Sequence, residues 1–374
     1  MRRILTIITL IFCIANALPA IGQAPSWEVH FLEIPTGRVL SIGPDGMTTR
    51  AELPEIADFS VISDAAITPD GVNLVFGGFR TEEAGIYIAS LQEGTCCTKL
   101  PDIIPTGADF VELGDFSPDG TRVAAVHSRV NFNAEGDSLA GFVVTYDLAT
   151  QALGSFIPTS AFPGDTEPLL GAYLGRWYAH GIEVVATCMA CDRPTQGSFA
   201  IWNPEADSIT PDNSIYLGDG HTLRSTGETV RAARDPIYPT GQGLLGNVVS
   251  YYPTTAAGQI PFVIYYHAEY PMISSVNWIH NGESLLIAHA GTDVATILRR
   301  DGGRAEYTIP LQNQFVATTP NGWLARNESE LISYTVQDGE LSEDILGGVQ
   351  GTLVQVASTP MIPQDPTLFL QQLP

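Results

Sequence analysis

The sequence predicts an all-β chain folded as a β-propeller of seven four-stranded blades, with the N- and C-terminal segments sharing one blade. Three observations predict it. A unit of about 40 to 55 residues recurs along the chain, the span of a propeller blade. Two near-identical turns stand at Thr68-Pro69-Asp70-Gly71 and Ser117-Pro118-Asp119-Gly120. A second hairpin follows the turns and counts the blades, with copies beginning near Gly37, Gly85, Gly141, Gly197, Gly246, Ala295 and Glu330. Each copy is an apolar or aromatic strand, a polar turn rich in Gly, Asp, Asn or Pro, and a more polar second strand, as the outer half of a blade requires.

In chain order, Arg2 and Arg3 precede an apolar run from Ile4 to about Leu18, and the small residues of Ala20-Ile21-Gly22 follow. This is the layout of a cleaved secretory signal, so residues 1–22 are expected to be removed and residues 25–374 to form a single propeller domain. The run is too short for a membrane span. Phe12 stands where lipid attachment at Cys13 would need a small residue. The mature chain is therefore expected to be secreted, periplasmic or at the cell surface. Its four cysteines, Cys96, Cys97, Cys188 and Cys191, then meet an oxidising compartment in which disulfides are the default. Zinc is the alternative, but an adjacent pair beside one C-x-x-C matches the usual two C-x-x-C pairs poorly. A redox C-x-x-C would have to open a helix, whereas residues 184–187 read as a strand and 192–195 as a turn.

The inner half of each blade is a strand, a tight turn and a strand. Pro presets φ at the second turn position, and Asp-Gly supplies the polar and positive-φ residues of the reversal. Degenerate copies at Ile279-His280-Asn281-Gly282 and Thr319-Pro320-Asn321-Gly322 keep Asn before Gly. No such turn precedes the hairpin at Gly37, while Thr352-Leu353-Val354-Gln355-Val356 and Thr367-Leu368-Phe369-Leu370 end the chain as inner-strand material. Joining the two ends in one sheet removes two exposed edges and keeps the ring from opening. Either two or three N-terminal strands fit this closure, the third covering residues 27–34.

The two Pro-Asp-Gly turns, each followed by a β-rich strand and a later strand bearing Tyr or Phe, resemble the WD-like repeats of TolB-type periplasmic propellers. Similar repeats form the propeller halves of prolyl-oligopeptidase-type peptidases. The resemblance implies a propeller fold and export, and it leaves activity open, because propellers carry binding modules and enzymes alike. The chain departs from both relatives in having no length for a separate α/β domain or a hydrolase domain.

Among 374 residues, 41 are acidic and 17 are Lys or Arg, a net charge of -24, and Lys99 is the only lysine. No nucleic-acid partner is expected, since phosphate neutralisation needs a basic surface. Catalytic signatures are absent: there is no G-x-S-x-G, H-E-x-x-H, P-loop or EF-hand pattern. Gly136-Asp137-Ser138-Leu139 spells the start of a GDSL hydrolase block, but no histidine has Asp three residues before it. The histidines are scattered at 30, 127, 180, 221, 267, 280 and 289. His280 takes a turn position and reads as a surface residue. His127 and His289 each close a second inner strand, where a core or rim imidazole with a hydrogen-bond partner is expected ahead of a metal ligand; their matching register could also bring them to a common rim. Asp64, Asp109, Glu112 and Asp115 lie near inner-strand starts, where they line one mouth of the channel or form a solvated face; a ring of carboxylates there could take Ca²⁺. No cofactor is expected, with calcium or zinc as the alternative.

Two functional readings follow. The first is a non-catalytic, monomeric, exported propeller that binds a protein, peptide or glycan, favoured by the missing catalytic set and by long loops at 131–140, 162–168 and 231–243. The alternative is a propeller hydrolase or lyase that uses histidines and carboxylates at the channel mouth.

Overall fold

A computed structural model describes residues 28–34, 36–80, 83–105, 107–129, 140–162, 171–187, 198–211, 221–222, 228–233, 246–252 and 262–357. Residues 1–22, expected to be a signal segment, and Trp27, Cys188, Cys191, the stretch 136–139 and Thr367 to Leu370 lie outside these residues. The chain is a succession of antiparallel meanders. The first comprises β1 (Val29–Ile34), β2 (Arg38–Gly43) and β3 (Gly46–Glu52), and the second β4 (Val61–Ile67), β5 (Asn73–Arg80), β6 (Glu83–Ser90) and β7 (Thr95–Lys99). Then come β8 (Phe110–Phe116), β9 (Arg122–Arg129), β10 (Ala140–Asp147) and β11 (Leu153–Pro158), followed by β12 (Gly171–Tyr178), β13 (Gly181–Thr187), β14 (Ser198–Asn203) and β15 (Ser208–Pro211). The next group is β16 (His221–Thr222), β17 (Thr229–Ala233), β18 (Val248–Tyr252) and β19 (Phe262–Tyr265). After it run β20 (Ile273–Ile279), β21 (Ser284–His289), β22 (Val294–Arg299) and β23 (Arg304–Thr308). The last group is β24 (Gln314–Thr319), β25 (Gly322–Arg326), β26 (Glu330–Gln337) and β27 (Glu340–Gly348), and β28 (Thr352–Ala357) ends the described chain.

Five of these groups, from β8 to β27, are four-stranded sheets, and the rest form one eight-stranded sheet in the order β3-β2-β1-β28-β4-β5-β6-β7. The two ends of the chain meet inside that sheet: β28 pairs antiparallel with β1 from His30↔Val356 to Ile34↔Thr352. Three N-terminal strands therefore join one C-terminal strand, which settles the count left open by the sequence. A short parallel contact, Val356↔Ala65 and Ala357↔Ala66, links β28 to β4.

The second strand of each sheet explains the packing. In β9, Val123 and Ala125 face one apolar cluster and Ala124 and Val126 face another. The same alternation divides Leu74 and Phe76 from Val75 in β5, Leu285 and Ile287 from Leu286 in β21, and Trp323 and Ala325 from Leu324 in β25. Both faces of these strands are covered, so they read as continuous apolar runs rather than alternating ones. Each cluster draws its residues from two neighbouring sheets or from the two halves of the eight-stranded one, and the last joins Ala317, Leu324 and Leu331 to Phe31, Leu40 and Ile42 at the other end of the chain.

The Pro-Asp-Gly turns fold as their residue types dictate. Thr68 Oγ1 donates to Asp70 Oδ1 at 2.6 Å and accepts Asn73 N–H at 3.0 Å, while Asp70 Oδ1 accepts Val72 N–H at 3.0 Å. Ser117 and Asp119 repeat these bonds. Gly71 sits at φ +75°, where a Cβ would be strained. The degenerate copies differ from this pattern. His280, Asn281 and Gly282 all have positive φ, and Asn281 N–H donates to Thr318 Oγ1 at 2.9 Å. Gly322 is needed for space: a Cβ there would lie 1.9 Å from the Tyr334 carbonyl oxygen.

Two buried carboxylates tie the sheets together. Glu228, on the lead into β17, accepts both Nη1 and Nη2 of Arg300 at 3.0 and 2.7 Å and the Tyr251 hydroxyl at 2.6 Å. Arg300 lies over the Trp278 ring at 5.0 Å. Glu33, fully buried in β1, accepts Arg38 Nε and Nη2 at 2.7 and 2.8 Å, the Thr36 hydroxyl, and the backbone N–H of Gln350 at 2.7 Å. Burial opposes ionisation of Glu33, but the bonds from Arg38, Thr36 and Gln350 outweigh it and hold the carboxyl below its usual range.

Because Gln350 leads into β28, Glu33 also pins the junction of the chain ends. Glu33→Ala is expected to lower unfolding free energy by about 3 kcal/mol, the order seen when one partner of a buried ion pair is removed. Arg38→Ala should cost at least as much, since it leaves the fully buried Glu33 carboxylate without its cation, whereas Arg38 alone reaches solvent. Urea titration of both variants checks this; sub-kcal losses in both would refute the pinning role.

Candidate functional site

The first strands of successive sheets lie side by side: β4 touches β8, and β8 touches β12. Ser63 Oγ reaches the Val111 carbonyl at 3.4 Å, joining β4 to β8. On the far side of β8, Glu112 accepts the backbone N–H of Leu174. The close approach requires Gly114, where a Cβ would meet Leu174 Cδ1 at 2.6 Å. Three first strands thus make one continuous wall.

Two of the exposed large apolar side chains stand on that wall, and others, such as Phe156 and Ile345, stand on outer strands. Val61 at the start of β4 is 59% exposed and Tyr173 in β12 is 50% exposed, although strands of the same sheets bury nearly all their apolar residues. Between them lie Asp64 and Glu112. Burial, and next the charge of Asp64, push the Glu112 carboxyl up to about 8, so it is protonated at neutral pH and can donate a hydrogen bond. An open tyrosine ring, a valine and a neutral acid beside a second carboxyl suit stacking and hydrogen bonding to a polar, uncharged or cationic chain.

Of the four acids that the sequence offered for one mouth or a solvated face, Asp64 and Glu112 stand close enough for the charge of one to act on the other. Asp109 precedes the first residue of β8 and Asp115 is its penultimate residue, so they lie about 20 Å apart along one strand. Residue spacing alone does not say which end of a strand a side chain occupies.

His127 and His289 are core imidazoles with hydrogen-bond partners, and they do not share a rim. Both close second strands, as their register predicts, but both are fully buried behind different partners. Tyr146 OH donates to the Pro101 carbonyl at 2.9 Å and lies 2.8 Å from His127 Nε2, which therefore carries the proton. Burial drives His127 down to about 4. His289 meets Tyr265, Tyr270 and Thr296 instead. His280 is half-buried rather than superficial, and burial lowers its pKa. His30 bonds Ser41 Oγ and Arg50. Among the described residues no three His, Cys, Asp or Glu side chains are grouped to hold a metal.

Cys96 and Cys97 stand in β7 with their sulfur atoms in contact, packed beside the cluster of Leu53, Ile56 and Phe59. Cys188 and Cys191 lie outside the described residues. No described helix is long and apolar enough to cross a membrane.

No family model matches the chain, and no curated protein matches it. Solved structures do. The prolyl endopeptidases of a study of inter-domain dynamics are 10% identical with a TM-score of 0.52, over 87% of this chain and 51% of theirs. The chain folds as a β-propeller. It spans about half of those peptidases, so the likeness concerns their shape alone. The propeller domain of the Trilobed protease from Pyrococcus furiosus is 12% identical with a TM-score of 0.48, over 82% of this chain and 86% of that one. TolB from Acinetobacter baumannii is 12% identical with a TM-score of 0.40, over 93% and 70%.

Sequence reasoning found Asp64 and Glu112 but missed Val61, Ser63 and Tyr173. Nothing in the residue pattern marks them, because an exposed and a buried apolar residue on a strand look alike until the neighbouring sheets are placed. The raised Glu112 carboxyl has a measurable consequence. A native value of about 8 exceeds the ordinary 4.5, so folding favours its protonated form and stability is lost as pH rises between the two. Glu112→Gln, which stays neutral, is expected to raise the melting temperature near about pH 9 and to leave it unchanged near about pH 4. Thermal unfolding at both pH values tests it; an equal shift at both would show that ionisation of Glu112 is not the cause.

Proposed function

We propose that this chain is an exported, non-catalytic propeller of seven four-stranded blades, β28 with β1 to β3 forming one of them, that binds an extracytoplasmic protein, peptide or glycan. The observation that carries the reading is the exposure of Val61 and Tyr173 on first strands flanking the Asp64–Glu112 pair. Solvent-facing apolar groups on otherwise buried strands cost stability, and a ligand that covers them recovers it. The seven-blade count rests on treating the eight-stranded sheet as two blades joined by the short β28–β4 contact.

One observation favours the hydrolase or lyase reading. A carboxylic acid protonated near neutral pH beside a second carboxyl is the arrangement that general acid catalysis uses. It would act on a bound chain at the same wall, so both readings name one place and differ in whether the ligand is released intact.

Peptide and glycan arrays probed with the mature chain separate them. The binding reading expects retained, unmodified ligands and a loss of about tenfold or more in affinity for Tyr173→Ala, the scale of a stacking contact. Turnover of a bound array element would replace this reading with the enzymatic one, and binding that Tyr173→Ala leaves intact would place the site elsewhere.

Export and cysteine pairing belong to the same proposal. The mass of the protein recovered from outside the cytoplasm is expected to begin at Gln23, without metal or lipid, and with Cys96, Cys97, Cys188 and Cys191 unreactive to alkylation in denaturant. A retained N-terminus would remove export, and four free thiols would remove the disulfides.

A further inference from the structure

Side-chain caps recur where strands of this chain end. Asn203 Oδ1 accepts the backbone N–H groups of Glu205 and Ala206 at 2.9 and 3.0 Å. Asn327 Oδ1 accepts those of Ser329 and Glu330 at 3.0 and 2.9 Å. In each, one side-chain oxygen satisfies the amides two and three residues on, and an amide oxygen keeps that role at any ordinary pH. A further copy is built from an imidazole. Just past β19, His267 Nδ1 accepts the N–H groups of Glu269 and Tyr270 at 3.2 and 3.1 Å. It can do so only as a neutral ring with its proton on Nε2, which lies 2.9 Å from Glu306 Oε1.

Tyr270 is gripped from its other side as well. His289 Nδ1 donates to the Tyr270 carbonyl at 2.9 Å, and its Nε2 accepts from Thr296 at 3.0 Å with Tyr265 OH 3.3 Å away. Tyr270 stacks on His267 at 5.0 Å, and the His267 and His289 rings meet edge to face at 5.2 Å. Two histidines therefore hold one residue, Tyr270, by the peptides on its two sides, in the connection from β19 to β20 that crosses from one sheet to the next.

We propose that residues 265–273 form an acid-released latch, in which protonation of His267 at Nδ1 withdraws its cap from the Glu269 and Tyr270 amides and frees the connection. An imidazolium carries N–H on both nitrogens, so Nδ1 would point a donor at two donors. The surroundings decide where the proton goes. Glu306 on β23 supports a positive His267, and His289 on β21 opposes it; Arg304 on β23, close enough to act on Tyr265, opposes it at longer range. Tyr265 on β19 and Thr296 on β22 present neutral hydroxyls, and Glu269 on the connection itself is exposed. His289 is fully buried and resists protonation, whereas the His267 side chain keeps 12% of its surface open to solvent. The latch thus opens from the His267 side while the His289 bond persists.

Amide hydrogen exchange of the full mature chain, followed from about pH 7.5 to about pH 5 and corrected for intrinsic rates, tests the latch across the window in which imidazoles titrate. In the wild type, exchange at Glu269 and Tyr270 is expected to accelerate by about tenfold or more relative to the amides capped by Asn203 and Asn327. His267→Asn installs the cap already used at 203 and 327 and should abolish the acceleration. Glu306→Gln, which removes the supporting carboxylate, should move it to lower pH. Wild-type exchange that is independent of pH, or acceleration that persists in His267→Asn, overturns the proposal. Should His267→Asn expose both amides at every pH, Glu306→Gln decides: an unmoved midpoint overturns the latch, and a lowered one upholds it.

Discussion

The structure depends on one constraint: second strands such as β5, β9, β21 and β25 are apolar on both faces. A sheet alone covers neither face, and two stacked sheets leave two faces wet. Each apolar square ångström left in water costs about 25 cal/mol, so an open stack would leave its two end sheets destabilised. Bringing the last sheet against the first removes those ends, and the cluster that unites Leu324 and Leu331 with Phe31 and Leu40 does this. The pairing of β28 with β1 then converts a packing contact into a hydrogen-bonded one.

Closure in turn governs the buried polar groups. A carboxylate taken out of water must find its full complement of donors, and Glu33 and Glu228 both do so with a bidentate arginine and further hydroxyl or backbone donors. Neither network is local. Glu33 reaches Gln350 from the opposite end of the chain, and Glu228 reaches Arg300 from the following sheet. The buried histidines avoid charge instead, although His127 Nδ1 stays buried without a hydrogen-bond partner among the described residues. His30, His127 and His289 are held neutral by burial and satisfy hydroxyl, backbone or arginine partners instead of carrying charge.

First strands escape the constraint on the side away from the neighbouring second strand. Exposed residues are tolerated there, and the Val61–Tyr173 wall occupies that position. A carboxyl such as Glu112 can be half-desolvated by its surroundings while still reaching solvent and ligand, and this is the setting in which a raised carboxyl is useful. The wall and the His267 latch are separate features. One uses surface that packing leaves over, and the other uses a connection that packing must cross.

Much of the fold was legible in the residues. The Pro-Asp-Gly turns carry their own geometry, because Thr68 and Asp70, like Ser117 and Asp119, make all their bonds within six residues. The strands and their hairpins are local in the same sense, and the unpaired inner-strand sequence near Thr352 pointed to the joining of the chain ends. Long-range geometry was not legible. Nothing local separates Asp109 from Asp115, places His127 behind Tyr146 and His289 behind Tyr270, or leaves Tyr173 open while Trp177 is buried four residues later. The sequence by itself determined the turns, the strands and their order, since these depend on φ preferences and on bonds between near neighbours. Only the tertiary structure decided which groups share a site, because that depends on sheet-to-sheet contacts between residues far apart in the chain, where spacing carries no information about distance.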